Sequence, residues 1–340
     1  MKTQAPVPWA PAPDEGATLD DRLAWYVEVA RFAPSKHNSQ PWRFVLRDGA
    51  LLVWADPERA LPLTDPTGRE QLMSCGAAIE LAVTAAASLG RQLSVAWLPE
   101  PGSTLLARLA ERDGHPPTED DLALLAAAAT RRTDRGPLDA TGLPPSTPFE
   151  LQRAAFALGA ELRLVATPVE RQQLADLVAQ ADRHLAQSGL ADAEVVVWRR
   201  APGDPGDDGV PMSQTRGVGA SYRAEFVQRD FGAGTGVGPE MDRPGTDAPL
   251  VAIVCTEGDQ AQDWLVGGRA LTAVLLRAQV LGAQASYINQ PCEVDTVRAA
   301  LRRALGLNGH PQLILRIGVG GDVPATPRRD VGQVLLRDRS

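Results

Sequence analysis

The segment Ala33–Trp42, APSKHNSQPW, concentrates small and polar side chains between two prolines. Ser35, Lys36, Asn38 and Gln40 supply a hydroxyl, an ammonium and two amides, the donor and acceptor set that satisfies the polar edge of a flat heterocycle. Pro34 and Pro41 restrict the backbone on either side, and the same composition also suits a plain polar turn. Lys36 stands out because it and Lys2 are the only lysines, arginine carrying the rest of the positive charge.

Three further segments carry groups of this kind. Arg131-Arg132-Thr133-Asp134-Arg135 offers guanidinium forks and a hydroxyl, which suit phosphate oxygens at about 1.5–3 kcal/mol per charge-assisted contact. Arg328-Arg329 forms a second basic pair, in TPRRDV. Ser286-Tyr287-Ile288-Asn289-Gln290-Pro291 ends a strand in polar residues and proline, where backbone amides leave the ladder and can face a ligand. Taken singly, these read equally as a solvated cluster, a short basic tail and an ordinary strand exit. Tyr222, Tyr287 and His37 are candidate proton donors, each as readily a packing or turn residue.

The background is that of a soluble globular protein: 340 residues, 44% hydrophobic and 22% charged, with a formal net charge of −8 that disfavours nonspecific nucleic-acid binding. Cys75, Cys255 and Cys292 are odd in number and far apart, so they form neither a disulfide framework nor a metal spacing, and the four histidines are equally scattered. The first residues lack the apolar core of a signal peptide, and no run of about 18 apolar residues is evident. The expectation is a cytoplasmic protein with no membrane partner and with residues 1–18 disordered.

The elements that must position these groups come in two sets. Cys75–Pro99 aligns without gaps to Gly267–Pro291 at an offset of 192, with eight identities in 25 pairs, among them Gly76 with Gly268 and Leu89-Gly90 with Leu281-Gly282. A repeat this long points to two domain-sized halves, at 19–130 and 131–340, which can form an internal pseudo-dimer. In the first, the patterning predicts helices at 19–31 and 69–89, short strands at 43–46, 51–54 and 93–98, and helices at 103–111 and 119–129. In the second, it predicts helices at 149–158, 169–185 and 260–281, and strands at 161–165, 250–255, 285–288 and 313–319. Long apolar helices without regular strand–helix alternation argue for an α+β fold. Between 199 and 249 the sequence turns glycine- and proline-rich, with one amphipathic stretch at 221–229 and the aromatics Tyr222, Phe226 and Phe231, which suits a lid or a floppy insertion.

APSKHNSQPW resembles the flavin-contact signature of the nitroreductase superfamily, and with its two halves the chain resembles the Acg-like branch. That resemblance spans about residues 20–335. It implies a nitroreductase-like α+β fold duplicated in one chain, with one FMN at the junction of the halves. It puts Pro34, Ser35, Lys36, Asn38 and Gln40 at the flavin ring and ribityl chain. Arg131, Thr133 and Arg135 match its N-terminal phosphate motif, with threonine in place of serine. Ile288, Asn289 and Gln290 match the segment whose backbone amide approaches flavin N5, and Arg328 and Arg329 match its C-terminal phosphate-binding pair.

The first half lacks the phosphate motif and the second lacks the turn, so one complete site and one vestigial site are expected. The implied activity is an FMN-dependent oxidoreductase acting on a small molecule, with NAD(P)H as the possible donor. The alternatives are an FMN-binding or sequestering protein whose lid closes over the ring, and a specialised dehydrogenase acting on a metabolite held under the lid. The fused pair is expected to serve as a monomer, with further dimerisation open. No dinucleotide fingerprint follows a strand.

Overall fold

The structure, a computed structural model, describes residues 7–98, 103–188, 190–201, 203–212, 225–226 and 247–337. The chain begins with α1 (Leu19–Ala30), β1 (Trp42–Arg47), β2 (Ala50–Ala55), α2 (Arg69–Ser88), β3 (Arg91–Trp97), β4 (Leu105–Asp113) and α3 (Glu119–Thr130). It continues through α4 (Thr147–Phe156), β5 (Ala160–Leu164), α5 (Pro168–Ser188), α6 (Leu190–Val197), β6 (Arg199–Arg200) and β7 (Val210–Pro211). The last stretch is β8 (Leu250–Thr256), α7 (Ala261–Val280), β9 (Gln284–Tyr287), α8 (Gln290–Glu293), α9 (Asp295–Ala304), β10 (His310–Gly318), α10 (Val331–Val334) and β11 (Leu335–Arg337).

The strands form two main sheets, ordered β11-β1-β2-β4-β3 and β5-β8-β10-β9, all antiparallel except the parallel β1–β11 pair. The fold is therefore α+β, as the patterning predicts. β8 and β10 are buried along almost their whole length because the second sheet is covered on both faces. One face packs against α4 and α7, and the other against α5, α8 and α9. The first sheet rests on α1, α2 and α3. Threonine N-caps with aspartate at the third helical position, Thr18/Asp21 and Thr118/Asp121, start α1 and α3 where the sequence places them.

Helices α2 and α7 cross at the centre, and the aligned glycines make the crossing. A Cβ on Gly76 would lie 2.1 Å from the Leu265 carbonyl oxygen, and one on Gly268 would lie 1.9 Å from that of Met73. A mid-helix glycine costs about 1 kcal/mol relative to alanine, a loss offset here because only hydrogen lets the backbones touch. Thr272 Oγ1 to the Ala77 carbonyl at 3.3 Å and Arg269 Nε to Glu80 at 2.7 Å tie the same helices. By length and composition α2 could cross a membrane, but 72% of its apolar window is buried in the fold.

One expectation of the patterning changes. Residues 103–111 are not a helix: Leu105–Asp113 pairs antiparallel with β2 and β3, so sheet pairing overrides the helical preference of its leucines and alanines. Within the stretch expected to be disordered, Trp9 is buried edge-on against Phe32, and Trp25 Nε1 donates to the Ala10 carbonyl at 2.9 Å. The last described strand, β11, lies on the first sheet, so the division at residue 130 does not separate the sheets. Tyr222, Phe231 and nearly all of the amphipathic stretch at 221–229 lie outside the described residues. Phe226 is described, and it is buried against the second sheet's α5 face.

Candidate functional site

The Pro34–Gln40 turn connects α1 to β1 and is held in an unusual conformation. His37, Asn38 and Gln40 have φ of 52°, 54° and 51°, in the left-handed region that costs non-glycine residues about 1–3 kcal/mol each. Polar side chains hold it there. Ser35 Oγ accepts from the Gln40 amide at 3.0 Å, and Asn38 Nδ2 donates to the carbonyls of Gly209 at 3.0 Å and Pro327 at 3.1 Å. Gln40 Nε2 donates to the Asp207 carbonyl at 2.9 Å, while Gln40 Oε1 accepts from the Arg329 amide at 2.9 Å. Two segments distant in sequence, 207–211 and 327–329, thus clamp the turn.

A cavity opens beside it. Its wall includes Pro34, Ser35, Lys36, His37 and Asn38, with Arg131, Thr133 and Arg135, then Asn289, Gln290 and Arg328. Met73, Leu271 and Leu313 form an apolar patch of the wall, and Gly209, Val210 and Pro211 close one side. The site lies between the two sheets, where α2 and α7 meet.

One end of the cavity is cationic. Residues 131–135 lie along β9 through a Thr133–Ala285 bridge, with the Asp134 amide donating to the Ala285 carbonyl at 3.0 Å. Arg131 is buried, and among the described residues its Nη1 has no partner. Arg328 donates to the carbonyls of Pro327 at 2.9 Å and of Phe32 and Ala33 at 3.3 Å each, leaving Nε unpartnered. Tyr287 also reaches this corner with a buried, unpartnered hydroxyl. Burial pushes Arg131 down, Arg135 to about 10 and Arg328 to about 9, and the charge of Arg131 adds to the shift of Arg328. Burial raises the Tyr287 phenol against the pull of the same three arginines. Guanidinium groups keep their protons in proteins, so such a corner is relieved by a bound anion.

The other end balances its own charge. Lys36 Nζ donates to the Thr64 carbonyl at 2.9 Å, forms a short ion pair with Glu70 and stands 3.7 Å from Glu293. Asn289 Nδ2 donates to Glu70 Oε1 at 2.6 Å, and Asn289 Oδ1 accepts from the Ile314 amide at 3.2 Å.

Sequence comparison adds an independent observation. The protein of Mycobacterium tuberculosis strain H37Rv named provisionally as the NAD(P)H nitroreductase Rv3131 is 33% identical over 321 residues, covering 90% of each chain. The chain belongs to the nitroreductase family. A second relative from that strain, named provisionally as the NAD(P)H nitroreductase acg, is 30% identical over 335 residues, 95% of this chain and 97% of its own. An FMN-bound nitroreductase from Bacteroides fragilis superposes with a TM-score of 0.39 at 15% identity, covering 63% of this chain and 97% of that one. No family model matches.

For this nitroreductase-family chain, ten of the thirteen residues assigned to the flavin from sequence line one cavity. The other three do not. Gln40 is fully buried as a clamp of the turn, and Ile288 is fully buried in the core behind β10. Arg329 donates to the carbonyls of Gln40 at 3.2 Å and Gln333 at 2.8 Å, so its guanidinium braces the turn from behind instead of facing the cavity. Sequence reasoning missed Glu70, Glu293, Ser74 and the 209–211 segment. A glutamate at the start of an apolar, buried helix was the available signal for Glu70; the others are brought in only by tertiary contact.

Proposed function

We propose that this protein is an FMN-dependent oxidoreductase of the nitroreductase type, holding one FMN between its two sheets. The observation that carries the reading is the cationic corner: buried arginines with the orphaned donors Arg131 Nη1, Arg328 Nε and Tyr287 Oη, on the same wall as the strained turn and the Asn289–Gln290 strand end. In the apo protein that corner is costly, and a dianionic phosphate ester satisfies it. Arg131, Thr133, Arg135 and Arg328 would hold the phosphate. Ser35, Lys36 and Asn38 on one side and Asn289 and Gln290 on the other would border the ring, with Met73, Leu271 and Leu313 excluding water.

When bound, FMN supplies two-electron chemistry at its N5, taking hydride from a nicotinamide donor and passing it to a small electron-poor acceptor. NAD(P)H as that donor is supported by the names of the relatives. The fused-pair arrangement, as distinct from the number of sites, is supported by the reciprocity of the central crossing. Gly76 touches Leu265 while Gly268 touches Met73, and the offset of 192 that aligns the glycines also aligns Met73 with Leu265. Such i-to-j and j-to-i contacts characterise a two-fold interface, here inside one chain as a fused pair. The purified protein is expected to be yellow and to release one FMN per chain on denaturation. A ratio of two overturns the single site, and an absence of flavin binding overturns the reading.

One observation favours sequestration over turnover. Gly209–Pro211 lies on the cavity wall and is pinned to the signature turn by paired bonds between Asn38 and Gly209, 3.2 Å from the Gly209 amide to the Asn38 carbonyl and 3.0 Å from Asn38 Nδ2 to the Gly209 carbonyl. Rapid anaerobic bleaching of bound flavin by NAD(P)H supports the enzyme. Bleaching by dithionite alone supports a protein that holds its flavin away from nicotinamide.

A further inference from the structure

Reduction of an acceptor such as a quinone needs a proton as well as a hydride. At the cationic end of the cavity the acid is the Tyr287 phenol, which burial raises above its ordinary value. The opposite end carries carboxyls. Glu70, on the first turn of α2, and Glu293, at the end of α8, both reach the cavity wall and both face the Lys36 ammonium. Their side chains are 7% and 4% exposed, so neither carboxylate is solvated enough to carry its charge cheaply. Asn289 fixes Glu70 Oε1 from the strand-end segment, and the Thr64 carbonyl, itself set by Glu194 accepting the Thr64 amide at 3.0 Å, fixes Lys36.

Around this group stand Arg69, Asp65 and the buried Cys292. The Arg69 guanidinium donates to the carbonyls of Gln312 at 2.7 Å and Cys292 at 2.9 Å and lies 3.9 Å from Glu70, so its hydrogen bonds go elsewhere. Two carboxyls crowded around one closely bonded ammonium tend to share a proton instead of both ionising.

We propose that Glu70 and Glu293 together hold one proton on the cavity wall beside Lys36 and deliver it to the acceptor as that acceptor is reduced. The proposal rests on the redox reading above. A quinone that receives hydride from the reduced cofactor gains a bond to hydrogen and an electron pair on oxygen. The carboxyl O–H bond breaks, its proton forms the new O–H bond of the hydroquinone, and the carboxylate left behind is stabilised by Lys36 until solvent returns a proton. The reductant is the nicotinamide nucleotide that reloads the cofactor.

Burial pushes the Glu70 carboxyl up, opposed by Lys36 and reinforced by Glu293, the direction such a donor needs near neutral pH. Because Glu293 belongs to the pair, either carboxyl removed should let the other ionise.

The test has one readout that needs no activity. Infrared spectra of the flavin-free protein, with 13C-labelled glutamate to assign the band, should contain a protonated carboxyl C=O stretch at about pH 7. Glu70→Gln and Glu293→Gln should each abolish it, although each keeps one glutamate. No such band in the wild type, or a band that survives in both variants, overturns the shared proton. The second readout is anaerobic reoxidation of the reduced holoprotein by a quinone across pH. The wild-type rate should fall on the alkaline side at the same pH where the band disappears, and the variants should be slowed by about 100-fold or more and lose that limb. A wild-type rate without the limb overturns delivery. Failure to bind FMN overturns the redox reading instead, and the infrared result still decides the shared proton.

Discussion

The two ends of the cavity treat charge in opposite ways. At Arg131 and Arg328 buried guanidiniums keep donors without a partner among the described residues, whereas at Lys36 the charge is matched by Glu70 and capped by a carbonyl. The cationic end is incomplete as the chain alone builds it, and the lysine end is complete. An incomplete end stores a preference for a ligand, since an anion recovers the desolvation already lost. A complete end contributes to folding.

The contrast is broken most forcefully at the cationic end. Arg131→Ala combined with Arg328→Ala should weaken FMN binding by roughly 3–6 kcal/mol, about a hundredfold to ten-thousandfold, while riboflavin affinity changes little. Flavin fluorescence titration with both ligands measures this, and an equal loss for riboflavin would move the phosphate elsewhere. Next comes Lys36→Met, which leaves buried carboxylates without their ammonium and should destabilise the flavin-free protein by about 3–5 kcal/mol in urea unfolding.

Arg131→Met should move stability the other way. Removing a buried charge whose Nη1 has no partner among the described residues is expected to stabilise the flavin-free protein by about 1 kcal/mol or more, even as it costs FMN affinity. Loss of stability in this variant would mean that Arg131 already has an internal counter-charge.

The smallest effect concerns pH. The folded-state Glu70 carboxyl is raised above its unfolded value, so the folded protein binds more protons between the two, and stability falls as pH rises through that window. Wild-type stability should therefore decline with rising pH relative to Glu70→Gln, read from denaturation midpoints across a pH series. Parallel curves would mean that Glu70 is ionised throughout.

Much of the site was legible because its residues sit in short contiguous runs. The turn, RRTDR and the strand-end segment each present their chemistry within a few positions, and twelve of those residues meet in one cavity. Gln40 and Arg329 belong to equally suggestive runs but turn their side chains to each other's backbone, because the left-handed turn needs partners more than the cavity does. Glu70 and Glu293 stand 223 positions apart and carry no local pattern, so only the docking of α8 beside the start of α2 makes them a pair.

By itself the sequence determined the elements whose signals are local: the capped helices, the long apolar helices with their matched glycines, most strands and the polar turn. Periodicity and capping act within a few residues, so they survive being read one segment at a time. Tertiary structure alone decided that residues 105–113 pair as a strand, that β11 joins the first sheet and that Trp9 packs on Phe32. It alone also decided which charges at the cavity are matched and which are left waiting. Those outcomes depend on partners far away in the chain, and burial and charge compensation exist only once the partners have met.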